Sequence, residues 1–191
     1  MSLKFLKFLI LSIMKKYLLV LLSILALVSC KENVASKKAS ELSNVEPSVK
    51  ITEVKTYNYA QLKPLLEKND EKTYVVNFWA TWCAPCVKEL PYFEKINEEY
   101  KDQNVDVILV SLDFPKQVEK KLIPFINRKN LQSEVILLDD TNENVWINDI
   151  DESWSGAIPA TLIYNKKQRK FYEQSFEYEN LENELKSFLN I

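Results

Sequence analysis

The stretch Tyr74-Val75-Val76-Asn77-Phe78-Trp79-Ala80-Thr81-Trp82-Cys83-Ala84-Pro85-Cys86-Val87-Lys88-Glu89-Leu90 decides how the rest of the chain is read. Residues 74–79 form an apolar run of the kind that fills a strand covered on both faces. Val87, Leu90, Phe93, Ile96 and Tyr100 then recur at helical spacing, which predicts a helix over residues 84–100, kinked at Pro91. Cys83 and Cys86 therefore fall at a strand-to-helix junction. With the first capping the helix and the second one turn inside it, two sulfurs at this spacing come within bonding reach. The helix N-terminus stabilises a thiolate there through its partial positive charge and free N–H groups. Cys83 is expected to be the exposed nucleophile that attacks a disulfide, and Cys86 the more buried thiol that resolves the mixed disulfide. Pro85 suits the first helical turn, where its missing N–H costs nothing.

The same periodicities organise the flanks. A short strand at 51–54 and a helix at 58–68 come before the motif. A strand at 105–112, a helix at 116–129, a strand at 134–138 and a short helix at 143–148 come after it. The chain ends in an antiparallel pair at 160–164 and 170–174 and a helix at 179–189. Strands alternating with helices, then a terminal hairpin and helix, predict an α/β three-layer sandwich with a central mixed sheet flanked by helices. Gly156 is the only glycine, so the turns must be made by Asn, Asp and Pro.

Composition narrows the chemistry. A net charge of -2 without a basic block gives no electrostatic footprint for nucleic acid, and no such partner is expected. The chain has no histidine, which removes the commonest metal ligand and the commonest general base. No metal and no cofactor are expected. Two blander readings of Cys83 and Cys86 stand beside the redox one. A structural disulfide across so short a loop restricts the unfolded chain little. A zinc site would need ligands beyond the one remaining cysteine, Cys30.

Cys30 has its own context. Met14-Lys15-Lys16 followed by the apolar residues 17–28 reads as the charged and apolar regions of an export signal. Leu27-Val28-Ser29-Cys30 resembles the bacterial lipobox, in which the cysteine is acylated and becomes the new N-terminus. The alternative is an uncleaved signal anchor; either sends the domain outside. Residues 1–29 are thus expected to be a lipoprotein signal peptide, with Met14 a candidate true start. Residues 30–48 would be lipidated Cys30 and a polar tether, and 49–191 the folded domain.

Residues 77–91, Asn-Phe-Trp-Ala-Thr-Trp-Cys-Ala-Pro-Cys-Val-Lys-Glu-Leu-Pro, resemble the active-site segment of the thioredoxin superfamily, in particular its TlpA/ResA-like branch of extracytoplasmic disulfide reductases. Gly156-Ala157-Ile158-Pro159-Ala160-Thr161-Leu162 is similar to that family's cis-proline loop. The resemblance covers roughly residues 49–191 and implies a thioredoxin-like fold. It implies a cis bond before Pro159, backbone groups of Ile158 offered to an extended substrate, and Trp82 at the substrate surface. Thioredoxin carries an aspartate where this chain has Asn77, and Asn cannot pass protons. In the ResA-like branch the glutamate matching Glu89 takes part instead, its pKa raised by partial burial near the sulfurs; the plainer reading is a solvated helix residue. Trp79 is either a site residue or core, and Trp146 and Trp154 are read as packing. The family's turn glycine after the strand bearing Thr161 is replaced around Asn165-Lys166-Lys167.

By the same resemblance the partners are disulfide-bearing exported proteins, with apocytochrome c as a candidate, a membrane electron donor, and a lipid anchor through Cys30. A dithiol oxidase or isomerase with the same cysteines, and a non-catalytic binding lipoprotein on the same scaffold, are the competing functions.

Overall fold

Strand β2 (Thr73–Trp79) is buried along its whole length, and the sheet is built around it. The computed structural model describes residues 50–191, which belong to a unit running from Val49 to Ile191. The expected signal peptide, the tether and acylated Cys30 lie outside the described residues. The other elements are β1 (Lys55–Tyr57), α1 (Tyr59–Leu62), α2 (Ala84–Tyr100), β3 (Val105–Ser111), α3 (Ile123–Lys129), β4 (Glu134–Leu138), α4 (Glu143–Ile150), β5 (Ala160–Tyr164), β6 (Arg169–Tyr172) and α5 (Tyr178–Leu189). Six strands lie in the order β1-β4-β3-β2-β5-β6. The first four run parallel; β5 pairs antiparallel with β2, and β6 pairs antiparallel with β5 at the sheet edge.

The pleat of β2 sorts its side chains into two cores, because successive residues of a strand face opposite ways. Val75 and Trp79 join Leu90, Phe93 and Ile96 of α2, Phe125 of α3, and Leu181, Leu185 and Phe188 of α5. Tyr74, Val76 and Phe78 join Leu62, Leu66, Trp146, Ile150 and Trp154 on the other face. Each large side chain so buried contributes roughly 1.5–3 kcal/mol. Helices on both faces of a mixed sheet make the expected three-layer sandwich.

Several boundaries differ from expectation. The first strand lies at Lys55–Tyr57 rather than 51–54, because the side chain of Asn127 claims the backbone of Ile51. Its Oδ1 accepts from the Ile51 N–H at 2.8 Å and its Nδ2 donates to the Ile51 carbonyl at 2.8 Å. The expected helix at 58–68 is one α-turn followed by a 3-10 turn at Lys63–Leu65, since Pro64 lacks the N–H that would continue it. The expected helix at 116–129 is a 3-10 turn (Pro115–Gln117), a π-turn (Val118–Leu122) and α3, with Pro124 at the start of the last piece. By contrast α2 continues through Pro91. The second hairpin strand sits at Arg169–Tyr172 instead of 170–174.

Asparagine does the work of the missing glycines. Asn104, Asn130 and Asn190 take left-handed conformations, with φ of 57°, 52° and 59°. Asn tolerates that region better than other residues with a Cβ. At the β5–β6 turn Asn165 Oδ1 accepts from the N–H groups of Lys167 and Gln168, at 2.9 and 3.1 Å. An Asx turn thus replaces the family's turn glycine.

Candidate active site

Strand β2 ends at Trp79 and α2 begins at Ala84, so the short loop between them lies at the C-terminal edge of the parallel strands. Sites of open α/β sheets gather at that edge. Cys83 caps α2: its backbone is extended (φ -88°, ψ 101°), and its Sγ accepts from the Cys86 N–H at 3.3 Å. Cys83 and Cys86 are joined by a disulfide, with Cα atoms 5.3 Å apart. Cys83 is 6% exposed and Cys86 0%. The expectation of an openly exposed Cys83 is therefore corrected: the helix end and the neighbouring loop cover most of it, and it keeps the greater access of the two.

That neighbouring loop carries Ile158 and Pro159. The Ile158–Pro159 bond is cis, and the Ile158 carbonyl oxygen lies 3.8 Å from Cys83 Sγ. Three contacts hold the loop. Trp154 donates its indole N–H to the Ala157 carbonyl at 2.8 Å. Glu173 accepts from the Ser155 and Ala157 N–H groups at 3.0 and 3.1 Å, and also from the Ser155 hydroxyl. Those bonds hold the Glu173 carboxyl below its ordinary range. Gly156 sits between them at φ +93°, where a Cβ would also meet Ile147 Cδ1 at 3.1 Å. Trp154 thus does more than the packing role expected of it, while Trp146 is core.

Glu89 lies one turn beyond Cys86 on α2, and residues three apart on a helix are neighbours. It is 1% exposed, so the solvated reading is corrected. Oε1 accepts from Asn77 Nδ2 at 3.0 Å and Oε2 from the Phe176 N–H at 2.7 Å. Burial raises its pKa to about 7; both hydrogen bonds oppose that rise, and the charge of Glu177 adds to it. Asn77 Nδ2 also lies 3.4 Å from the Ala160 carbonyl and 3.3 Å from Thr161 Oγ1, whereas its Oδ1 has no partner. Its amide suits both states of Glu89: the N–H group donates to the carboxylate, and turned over, the carbonyl would accept from the acid. Trp79 is wholly buried and packs against Phe125, with ring centroids 5.5 Å apart and planes tilted by 43°, which makes it core.

The structure brings Cys83, Cys86, Trp82, Ile158 and Pro159 to one edge of the sheet, with Glu89 beneath. Sequence reasoning missed three neighbours. Asp113, 2% exposed, accepts from the Thr81 N–H at 3.0 Å, from Thr81 Oγ1 at 2.5 Å and from Ser111 Oγ at 2.9 Å. Phe114, which follows it, stacks on Trp82. An acidic residue just after an apolar parallel strand was the available signal, because it sits at the functional edge. The Phe176 N–H left no signal, being a backbone group.

Fold and site together define a protein of the thioredoxin fold with a Cys-X-X-Cys disulfide at a helix N-terminus. The chain matches the AhpC/TSA family over residues 47–169 and belongs to that family. It is similar to the thiol-disulfide oxidoreductase ResA of Halalkalibacterium halodurans, 30% identical over 101 residues, or 53% of this chain and 52% of that one. The match thus spans about half the length of that relative. It is also 28% identical to the ResA of Geobacillus kaustophilus over 150 residues, 78% of each chain. Its fold is similar to the crystal structure of a thioredoxin-family thiol:disulfide interchange protein from Chlorobium tepidum. There the TM-score is 0.53 at 17% identity, over 62% of this chain and 80% of that chain.

Proposed function

We propose that this chain is an extracytoplasmic, membrane-anchored thiol-disulfide oxidoreductase that reduces disulfides in exported proteins, with apocytochrome c a candidate substrate. The observation that carries the reading is the Cys83–Cys86 disulfide at the start of α2, beside the Ile158 carbonyl. The ResA names of its relatives support it.

In the reduced protein the Cys83 thiolate attacks one sulfur of a substrate disulfide. A Cys83–substrate bond forms and the other substrate sulfur leaves as a thiolate. Cys86, giving its proton to the Glu89 carboxylate, then attacks Cys83 Sγ and releases the second substrate sulfur. The substrate gains two electrons, its two thiolates take one proton from Glu89 and one from water, and the protein is left with its Cys83–Cys86 disulfide. A membrane electron donor restores the dithiol. Trp82 and the Ile158 backbone hold the substrate against Cys83, and Pro159 shapes the loop that presents Ile158.

The direction of transfer is tested by the reduction potential of the Cys83–Cys86 couple in the full-length protein, equilibrated with thiol-disulfide buffers. A value around -270 mV is expected of a reductase, whereas one near about -120 mV would make the protein a dithiol oxidant and overturn the assignment. The anchor is tested separately. Cys30→Ser should move the protein from the membrane fraction to the soluble fraction if acylation holds it. Retention in the membrane would favour the uncleaved apolar segment.

A further inference from the structure

We propose that Phe114 is a specificity-determining residue: with Trp82 it forms an apolar surface beside Cys83 that receives a large apolar side chain flanking the cysteine of a disulfide-bearing polypeptide. The inference rests on the oxidoreductase reading above and specifies its substrates.

Four large apolar side chains stand exposed among the described residues: Trp82, Phe114, Val145 and Ile191. Two of them meet. Trp82 is 57% exposed and Phe114 59% exposed, and their rings stack with centroids 6.4 Å apart and planes inclined by 27°. They come from different elements, Trp82 from the loop before α2 and Phe114 from the loop after β3. Aromatic side chains that meet on the surface are the kind enriched at interaction sites.

The pair is held in place from below. Buried Asp113 bonds both the backbone and the hydroxyl of Thr81, so the residue before Phe114 is tied to the residue before Trp82. Ser111 Oγ donates to the same carboxylate and accepts from the Asp113 N–H at 3.1 Å. The two loops are thereby joined beneath the rings. Such preorganisation lowers the entropy cost of binding.

Position identifies the occupant. A disulfide can react at Cys83 only if one of its sulfurs reaches Cys83 Sγ, beside the Ile158 carbonyl. Trp82 is the chain neighbour of Cys83. In an extended polypeptide, at about 3.3 Å per residue, side chains one or two positions from the reacting cysteine are carried over the ring pair. The residues nearest the pair along the chain, Trp82, Ala84, Pro85, Phe114 and Pro115, carry no charge; Asp113 is buried, and the first exposed charge after Phe114 is Lys116. A large apolar flank is the segment this surface fits, and a small or polar flank gains nothing from it.

The test uses two peptides, each closed by one disulfide and identical except for Phe or Ser beside one cysteine. The full-length protein is reduced beforehand, and the second-order rate constant of its single oxidation by each peptide is measured. The wild type should prefer the Phe peptide by about tenfold, the discrimination one added apolar group supplies. Phe114→Ser should bring the ratio close to one, and Phe114→Leu should restore most of it. The Cys83–Cys86 potential of each variant, measured alongside, registers any displacement of the cysteines themselves. Equal rates on both peptides with wild type, or an undiminished preference in Phe114→Ser, would overturn the inference and leave the oxidoreductase reading standing. If neither peptide is reduced, that reading falls and the inference with it.

Discussion

Serine at position 83 should reduce turnover of a disulfide substrate to the uncatalysed background, while serine at position 86 should stop the reaction one step later. The two outcomes differ because the two sulfurs sit differently. Cys83 caps α2 and retains the greater access, whereas Cys86 is wholly buried inside the first turn. A substrate sulfur can therefore meet only Cys83 without disrupting the helix. Cys83→Ser removes the sulfur that attacks, and a hydroxyl cannot take its place at neutral pH. Cys86→Ser leaves the attack intact and removes the sulfur that completes the exchange, so each protein should hold one substrate as a mixed disulfide. Non-reducing electrophoresis and intact mass should show that adduct for Cys86→Ser and none for Cys83→Ser. An adduct on the Cys83→Ser protein instead would reverse the assigned roles.

Glu89 should make the oxidised protein less stable as the pH rises from about 5 to 8. Burial is the cause: a carboxylate at 1% exposure loses water that its bonds to Asn77 and Phe176 only partly replace. The folded-state pKa of about 7 lies above the ordinary value of 4.5, so folding favours the protonated form. The stabilisation is complete below about pH 4.5 and is lost as the pH climbs through 7, since the native state then binds a proton that the unfolded chain has released. The whole effect is on the order of 3 kcal/mol. Denaturant unfolding at several pH values should show this decline in the wild type and a flatter profile in Glu89→Gln; parallel profiles would remove Glu89 as the source. Glu89→Leu should cost more at every pH, because it strands the buried Phe176 N–H at roughly 1–3 kcal/mol and removes the shortest of the Asn77 Nδ2 contacts. In turnover, Glu89→Gln should slow resolution of the mixed disulfide by about 10²-fold, the lower end for a positioned acid-base group.

The same carboxyl illustrates where sequence reading ends. The resemblance picks out the glutamate at position 89, but its protonation state depends first on burial and then, in the opposite sense, on a backbone N–H from residue 176 and an amide from residue 77, both distant along the chain. The departure from aspartate at position 77 reads in sequence as a loss. In the fold Asn77 becomes the donor that holds Glu89.

Elements whose signal is local were legible. The apolar run of β2 and the helical spacing of α2 follow from side-chain periodicity within a few turns, and a cap three residues from its partner places Cys83 and Cys86 together. The order of strands and helices follows in the same way, and with it the three-layer sheet. Elements that answer to a distant partner were not. The first strand moved because Asn127 bonds Ile51, and the helix expected at 116–129 broke up around its prolines. The meeting of Trp82 with Phe114 depends on a buried aspartate that ties two loops together across the sheet edge. The sequence by itself determined most of the strands and helices and the reactive pair, because their signals are periodicity and spacing within a few residues. Only the tertiary structure decided how buried Glu89 is, how open Cys83 is and what surface surrounds it, because desolvation and long-range hydrogen bonds exist only once remote segments have packed.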